Sequence, residues 1–181
     1  MRKVEVVPHN QKWRTAFAVE SERVAAEMGE NVIAVHHIGS TAIPGIYAKP
    51  IIDLLVEVKN IFNVDEQNSS MESIGYEVMG EFGIPGRRYF SKNNQAGFRT
   101  HHIHIFEVGS EQVKRHLKFR DYMIAHADDA QKYSEIKRKL AKKYPTNIDK
   151  YMDGKDQFIR EIDRKAAQWH KTQKSQLSIT Q

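Results

Sequence analysis

Apolar positions change their spacing along this chain near residue 110. From Asn10 to about Met28, Trp13, Phe17, Val24 and Met28 recur at helical intervals, with Asn10 placed to cap and Gly29 to stop a first helix. Asn31 to Ile38 is rich in Val and Ile and predicts a strand; residues 40–48, with Pro44 and Gly45, predict a loop. Residues 50–58 form a run of Leu and β-branched side chains, the pattern of a central strand buried on both faces. A short helix is expected over 61–74. Gly75 to Met79 and Arg87 to Ser91 read as a hairpin pair joined by the turn formers of Gly80 to Gly86. Thr100 to Val108 predicts one more strand.

Beyond Gly109-Ser110 only helical spacing remains. One helix is expected over 111–126 and a second over 128–143, with Ala130, Tyr133, Ile136 and Leu140 on one face. A third runs from about Asn147 or Asp149 to Trp169, its inner face carrying Phe158, Ile162, Ala166 and Trp169. Residues 171–181 are expected to form a fraying polar tail. The fold class is therefore α+β: an N-terminal helix and a mixed β-sheet in residues 1–110, then a helical portion over 111–170 packed onto it. Residues 1–170 are read as a single domain.

Composition narrows the class. The chain has 181 residues, enough for a sizeable core. It has no cysteine, which excludes disulfides, thiolate nucleophiles and zinc–thiolate sites. No apolar run approaches the roughly 20 residues of a spanning helix, and the first residues lack the apolar segment and cleavage site of a signal peptide. A cytoplasmic protein with no membrane partner is expected. Charge is uneven: residues 1–110 carry 11 basic and 13 acidic side chains, and residues 111–181 carry 17 and 10. The basic second half suits either a polyanionic partner or a solvated face of Lys-rich helices.

Three elements could carry chemistry. The first is the turn after His37-Ile38, where Gly39 lets backbone approach a ligand and Ser40 or Thr41 can hydrogen-bond a phosphate oxygen. The second is Asp53, an acid within an apolar strand, where a carboxylate needs a cation, donor or metal. Strand period puts Asp53, Leu55 and Glu57 on one face, with Lys49 at the strand entrance. The alternative reading pairs Asp53 with Lys49 or an Arg as a structural ion pair. The third is Thr100-His101-His102-Ile103-His104, in which His102, His104 and Phe106 share a face. Two such histidines can ligate one metal or present two imidazoles to an anion, and beside Asp53 they would make a site of two histidines and one carboxylate. Arg87 and Arg88, Arg99, Arg120 and Lys155 are further candidates for phosphate, since Arg can bind it bidentately.

The stretches His37 to Gly45, Ala48 to Asp53, Gly75-Tyr76, His102 to His104, His116 to Tyr122, Tyr133 to Ala141 and Tyr151 to Lys155 together resemble the GrpB family, over nearly the whole chain from about Val4 to Trp169. The resemblance implies a fold like that of the polymerase-beta type nucleotidyltransferases. That superfamily has a hydrophobic–Gly–Gly/Ser turn, a strand with two acids spaced by one residue, and a third carboxylate from a later strand. Ile38-Gly39-Ser40 matches the turn and Asp53 the first acid. Leu55 stands where the second acid belongs, and His102 or His104 where the third would be. Glu57 lies on the same face but about 7 Å further along.

The resemblance implies a protein that binds a nucleotide or phosphorylated ligand and transfers a nucleotidyl group with metal assistance. Asp53, His102 and His104 are the expected catalytic residues and the ligands of a divalent Mg or Mn ion. Gly39, Ser40, Thr41, Lys49 and Arg88 are the expected phosphate contacts. Two other classes stay open. One is a non-catalytic ligand-binding module linked to coenzyme A or nucleotide metabolism, because related domains occur fused to dephospho-CoA kinase. The other is a nucleic-acid-binding accessory protein using Lys137, Arg138, Lys139, Lys142 and Lys143.

Overall fold

The computed structural model describes the backbone of residues 3–179 and the side chains of 3–175. Asn10 Oδ1 accepts a hydrogen bond from the Lys12 N–H at 2.9 Å, and helix α1 (Lys12–Met28) starts there. Strands β1 (Val32–Ile38) and β2 (Ile52–Val58) follow, then a 3-10 turn leading into the short helix α2 (Asn68–Ser73). Next come β3 (Tyr76–Val78), β4 (Arg88–Asn93) and β5 (Arg99–Glu107). The chain ends in helices α3 (Glu111–Ala125), α4 (Ala127–Lys143) and α5 (Ile148–Ile179). The five strands form one mixed sheet in the order β1-β2-β5-β4-β3, in which β2 and β5 are parallel and the other pairs antiparallel.

The chain divides into two compact units. The sheet unit comprises residues 10–42 and 50–114. Leu54, Leu55 and Val56 of β2 are fully buried, as expected of a central strand. One sheet face, carrying Leu54, Phe90 and Ile103, packs against α1. Phe17 of α1 stacks on His37 at 4.7 Å between ring centroids. The same helix buries Glu20, which falls on its apolar stripe between Phe17 and Val24. Tyr76 Oη and Lys92 Nζ each donate to Glu20 Oε1 at 2.8 Å, which is what permits a carboxylate there.

The helical unit comprises residues 3–9, 43–49 and 115 onward. The division thus differs from the expected break near residue 110, since two early segments belong with the helices. Backbone pairing explains this: Val7 and Ala48 form an antiparallel bridge, Val4 N–H donates to Pro145 O at 2.8 Å, and Tyr47 N–H donates to Ser134 Oγ at 2.8 Å. Ile43 and Ile46 join Tyr122, Met123, Tyr133 and Ile162 in the core of this unit. Gly154 of α5 lets Leu140 of α4 approach, because a Cβ there would overlap the Leu140 side chain. Helix α5 also runs ten residues beyond Trp169, through most of the expected polar tail. Residues 170–179 contain neither Gly nor Pro, and Thr172 and Ser175 hydroxyls donate to carbonyls four residues back. Thr180 and Gln181, the end of that tail, lie outside the described residues.

Candidate functional site

The register of the sheet brings the sequence candidates together. Asp53 of β2 lies opposite His102 of β5 and opposite Ile38 at the end of β1, while Leu55 lies opposite His104. The turn leaving β1 therefore passes beside the carboxylate. Gly39 has φ +71°, a left-handed conformation that glycine adopts without strain. A Cβ at that position would overlap Asp53 Oδ2. Two requirements, turn geometry and space for the carboxylate, thus select glycine here.

Asp53 Oδ1 accepts a hydrogen bond from His102 Nδ1 at 3.0 Å and lies 3.9 Å from His104 Nε2. Burial alone would raise the Asp53 pKa. The hydrogen bonds and charges of the two imidazoles outweigh it and hold the carboxyl far below its usual range, so it is ionised. An ionised carboxylate only accepts, which places the His102 proton on Nδ1 and leaves Nε2 as the accepting nitrogen of the ring. His104 is pushed down, chiefly by burial, against the pull of Asp53. Its Nδ1 lies 3.4 Å from Arg87 Nη1. A guanidinium only donates, so His104 Nδ1 accepts and its proton sits on Nε2, the atom facing Asp53.

Arg87 and Tyr89 frame the cluster. Arg87 is buried, its Nη2 donating to Phe82 O at 2.6 Å and its Nε to Glu81 O at 3.2 Å. The guanidinium lies 4.8 Å from the centroid of Tyr89. Tyr89 meets His104 edge-on at 5.1 Å and His102 at 5.6 Å, and its ring stacks on Phe82. Phe82 itself is exposed, held at φ +44° within the turn between β3 and β4. Tyr89 and Phe82 carry no polar motif of their own. The hairpin pattern, with Tyr89 alternating onto the face of His104, is the signal that could have found the first of them.

The other expected contacts are placed elsewhere. Thr41 is buried, donating to Ile51 O at 3.2 Å, so its oxygen accepts from His37 Nε2 at 2.9 Å. It ties the turn to the strand entrance. Arg88 lies opposite Ile105, on the sheet face away from Asp53, and grips Asp65 through Nε at 2.6 Å and Nη2 at 2.9 Å. Of the two adjacent arginines it is Arg87 that reaches the cluster. Lys49 belongs to the helical unit, where its ammonium lies 5.4 Å from the Tyr151 ring centroid. Glu57 is bound by His36 at 2.7 Å and does not stand in for the missing acid. Ser40 remains in the turn, half-buried. Arg99, at the start of β5, has buried Nε and Nη1 atoms without a hydrogen-bond partner and meets Glu77 only at 4.0 Å.

The donor set fits a magnesium or manganese ion poorly. Mg²⁺ takes oxygen ligands in a near-octahedral shell at about 2.1 Å. Here one carboxylate faces two imidazoles, Leu55 occupies the second acid position, and Asp53 Oδ1 is already hydrogen-bonded to a ring N–H. Among the described residues no group of three or more His, Asp or Glu side chains is arranged to hold a metal ion. Nor, among them, is any helix long and apolar enough to cross a membrane.

A family model described as GrpB protein matches residues 3–165. The chain is 45% identical over 170 residues to the UPF0157 protein YqkA of Bacillus subtilis (strain 168), covering 94% of this chain but 49% of YqkA, so it spans about half that relative's length. It is similar to the crystal structure of the conserved protein GrpB from Enterococcus faecalis, with a TM-score of 0.88, 41% identity, and coverage of 92% of this chain and 99% of that one. The structure of Cid1 with its short product ApU is a more distant match, at TM-score 0.50 and 12% identity over 75% of this chain and 42% of that one. That likeness is one of fold: the architecture is nucleotidyltransferase-like.

Proposed function

The chain belongs to the GrpB family, and on its nucleotidyltransferase-like fold we propose that the Asp53 cluster binds the phosphate-bearing part of a nucleotide or related phosphorylated small molecule. The observation that carries this reading is the ionised Asp53 held between Gly39 and the two histidines. The carboxylate fixes His102 by its Nδ1–H and leaves Nε2 unprotonated, as a carboxylate orients an imidazole in general acid–base sites. Nε2 is then the accepting nitrogen: it takes a proton from an attacking hydroxyl, and donates to a phosphate oxygen once that proton is on it. In nucleotidyl transfer the acceptor oxygen would bond to the α-phosphorus, its proton would pass to Nε2, and pyrophosphate would leave. The Gly39-Ser40 turn supplies a backbone approach and a hydroxyl, and Arg99 an under-satisfied guanidinium.

This reading departs from two-metal catalysis, which needs clustered carboxylates. Its test is calorimetry of the full chain with ATP, GTP, CTP and UTP, each with and without Mg²⁺. Binding of at least one nucleotide without divalent metal, weakened tenfold or more by His102→Ala, is the expected result. Failure of all four to bind, or binding that His102→Ala leaves unchanged, would overturn it.

A further inference from the structure

We propose that the helical unit carries an anion site of its own, built from Lys49, Lys137, Lys155 and Tyr151, for the diphosphate group of a phosphorylated small molecule. Lys137 is 1% exposed, and its ammonium has no hydrogen-bond partner. It rests on the ring of Tyr133, 4.4 Å from the centroid. Tyr151 is wholly buried, and its hydroxyl also lacks a partner. Lys155 and Lys49 hold their ammonium groups 5.0 Å and 5.4 Å from the Tyr151 centroid. The charges that act on Lys137 are those of Lys155 and Lys49, both of its own sign.

A buried ammonium is ordinarily paired, because removing it from water without a counter-charge is costly. Here burial, reinforced by repulsion from Lys155 and Lys49, pushes Lys137 down to about 7. An incoming anion would give Lys137 the counter-charge it lacks and offset the like charges of Lys155 and Lys49 upon it. Three ammonium groups and a phenol hydroxyl match a diphosphate, which brings about three negative charges and many acceptor oxygens, better than a single carboxylate. Lys49 is half-buried and is the most exposed member of the cluster. None of these residues belongs to the Asp53 cluster, and the inference stands apart from the reading of that site.

The test is calorimetry of the full chain with inorganic pyrophosphate and, separately, inorganic phosphate at low salt. Pyrophosphate is expected to bind at least tenfold more tightly than phosphate. Lys137→Met and Lys155→Met should each weaken pyrophosphate at least tenfold. Lys139→Met, which removes the same charge from an exposed position of α4, should leave it unchanged. A thermal melt of each variant confirms that it is folded, and Lys155→Met serves if Lys137→Met is not. No pyrophosphate binding by the wild type would overturn the proposal. So would equal binding by the wild type and the folded Lys137 or Lys155 variant, or an equal loss in Lys139→Met. Pyrophosphate binding that persists while no nucleotide responds to His102→Ala would uphold this site and reject the one on the sheet.

Discussion

Replacing Lys137 by Met should make the unliganded protein more stable, and by an amount that depends on pH. The buried ammonium titrates at about 7 in the folded chain, against 10.5 for an ordinary lysine. At about 1.4 kcal/mol per pKa unit, this difference amounts to roughly 5 kcal/mol of destabilisation when the group is charged in both states. Methionine removes that penalty with a side chain of similar reach, but it forfeits the contact of the ammonium with Tyr133, worth about 1–2 kcal/mol. A net gain of about 3 kcal/mol at pH 6 follows. The unfolded lysine binds a proton that the folded one releases between pH 7 and 10.5, so wild-type stability rises with pH through that window and the advantage of the variant shrinks. Urea denaturation followed by circular dichroism at pH 6 and pH 9 measures it, and the gap should close by about 2–3 kcal/mol between the two. Pyrophosphate should then stabilise the wild type by about 2.7 kcal/mol at 100 times its dissociation constant, and the variant by about 1.4 kcal/mol or less at the same concentration. A variant less stable than wild type at pH 6, or a gap that does not change with pH, would refute the reasoning.

Gly39→Ala should destabilise the sheet unit by about 2–4 kcal/mol, combining a left-handed alanine with overlap on Asp53; a loss below about 1 kcal/mol in urea denaturation would show that the turn and carboxylate move apart freely. Glu20→Gln should cost about 3 kcal/mol, because it leaves Lys92 and Arg23 beside an uncharged buried partner. Burial acts to raise the Glu20 pKa, but Lys92 and Tyr76 win and lower it below 4.5. Its stabilisation is therefore present above the ordinary carboxylate range and lost as pH falls through it, so the acid limb of the wild-type stability profile should be steeper than that of Glu20→Gln. Parallel acid limbs would show that Glu20 does not contribute.

The elements were legible because each follows a local rule. Val- and Ile-rich runs mark β1 and β2, flanking turn formers mark the hairpin of β3 and β4, partial alternation marks β5, and helical spacing marks α1 and the three helices after residue 110. Asp53 and the histidine pair were legible as well, since acid and imidazole stand out within apolar runs. What local pattern could not supply is which strands are neighbours. Pairing β2 with β5 in parallel is a long-range choice, and it alone converts Asp53 and His102 from separate anomalies into a hydrogen-bonded pair. The same dependence explains Arg88: one residue of alternation decides which sheet face an arginine joins, and only the register with β5 sets it.

Lys137 shows the opposite limit. Counted among Lys139, Lys142 and Lys143 it looks like part of a solvated basic face, yet it is buried. A local signal was present. Tyr133 precedes Lys137 by four residues, and Tyr151 precedes Lys155 by four. Helical side chains lean toward the N-terminus, so each ammonium falls over the ring one turn earlier. A lysine set over a tyrosine on the apolar stripe of its helix is carried inward with it, whereas Lys139 and Lys142 have no such ring beneath them. Charge counts along a sequence treat these lysines alike. The spacing to tyrosine separates Lys137 and Lys155, carried inward on α4 and α5, from the lysines that meet solvent.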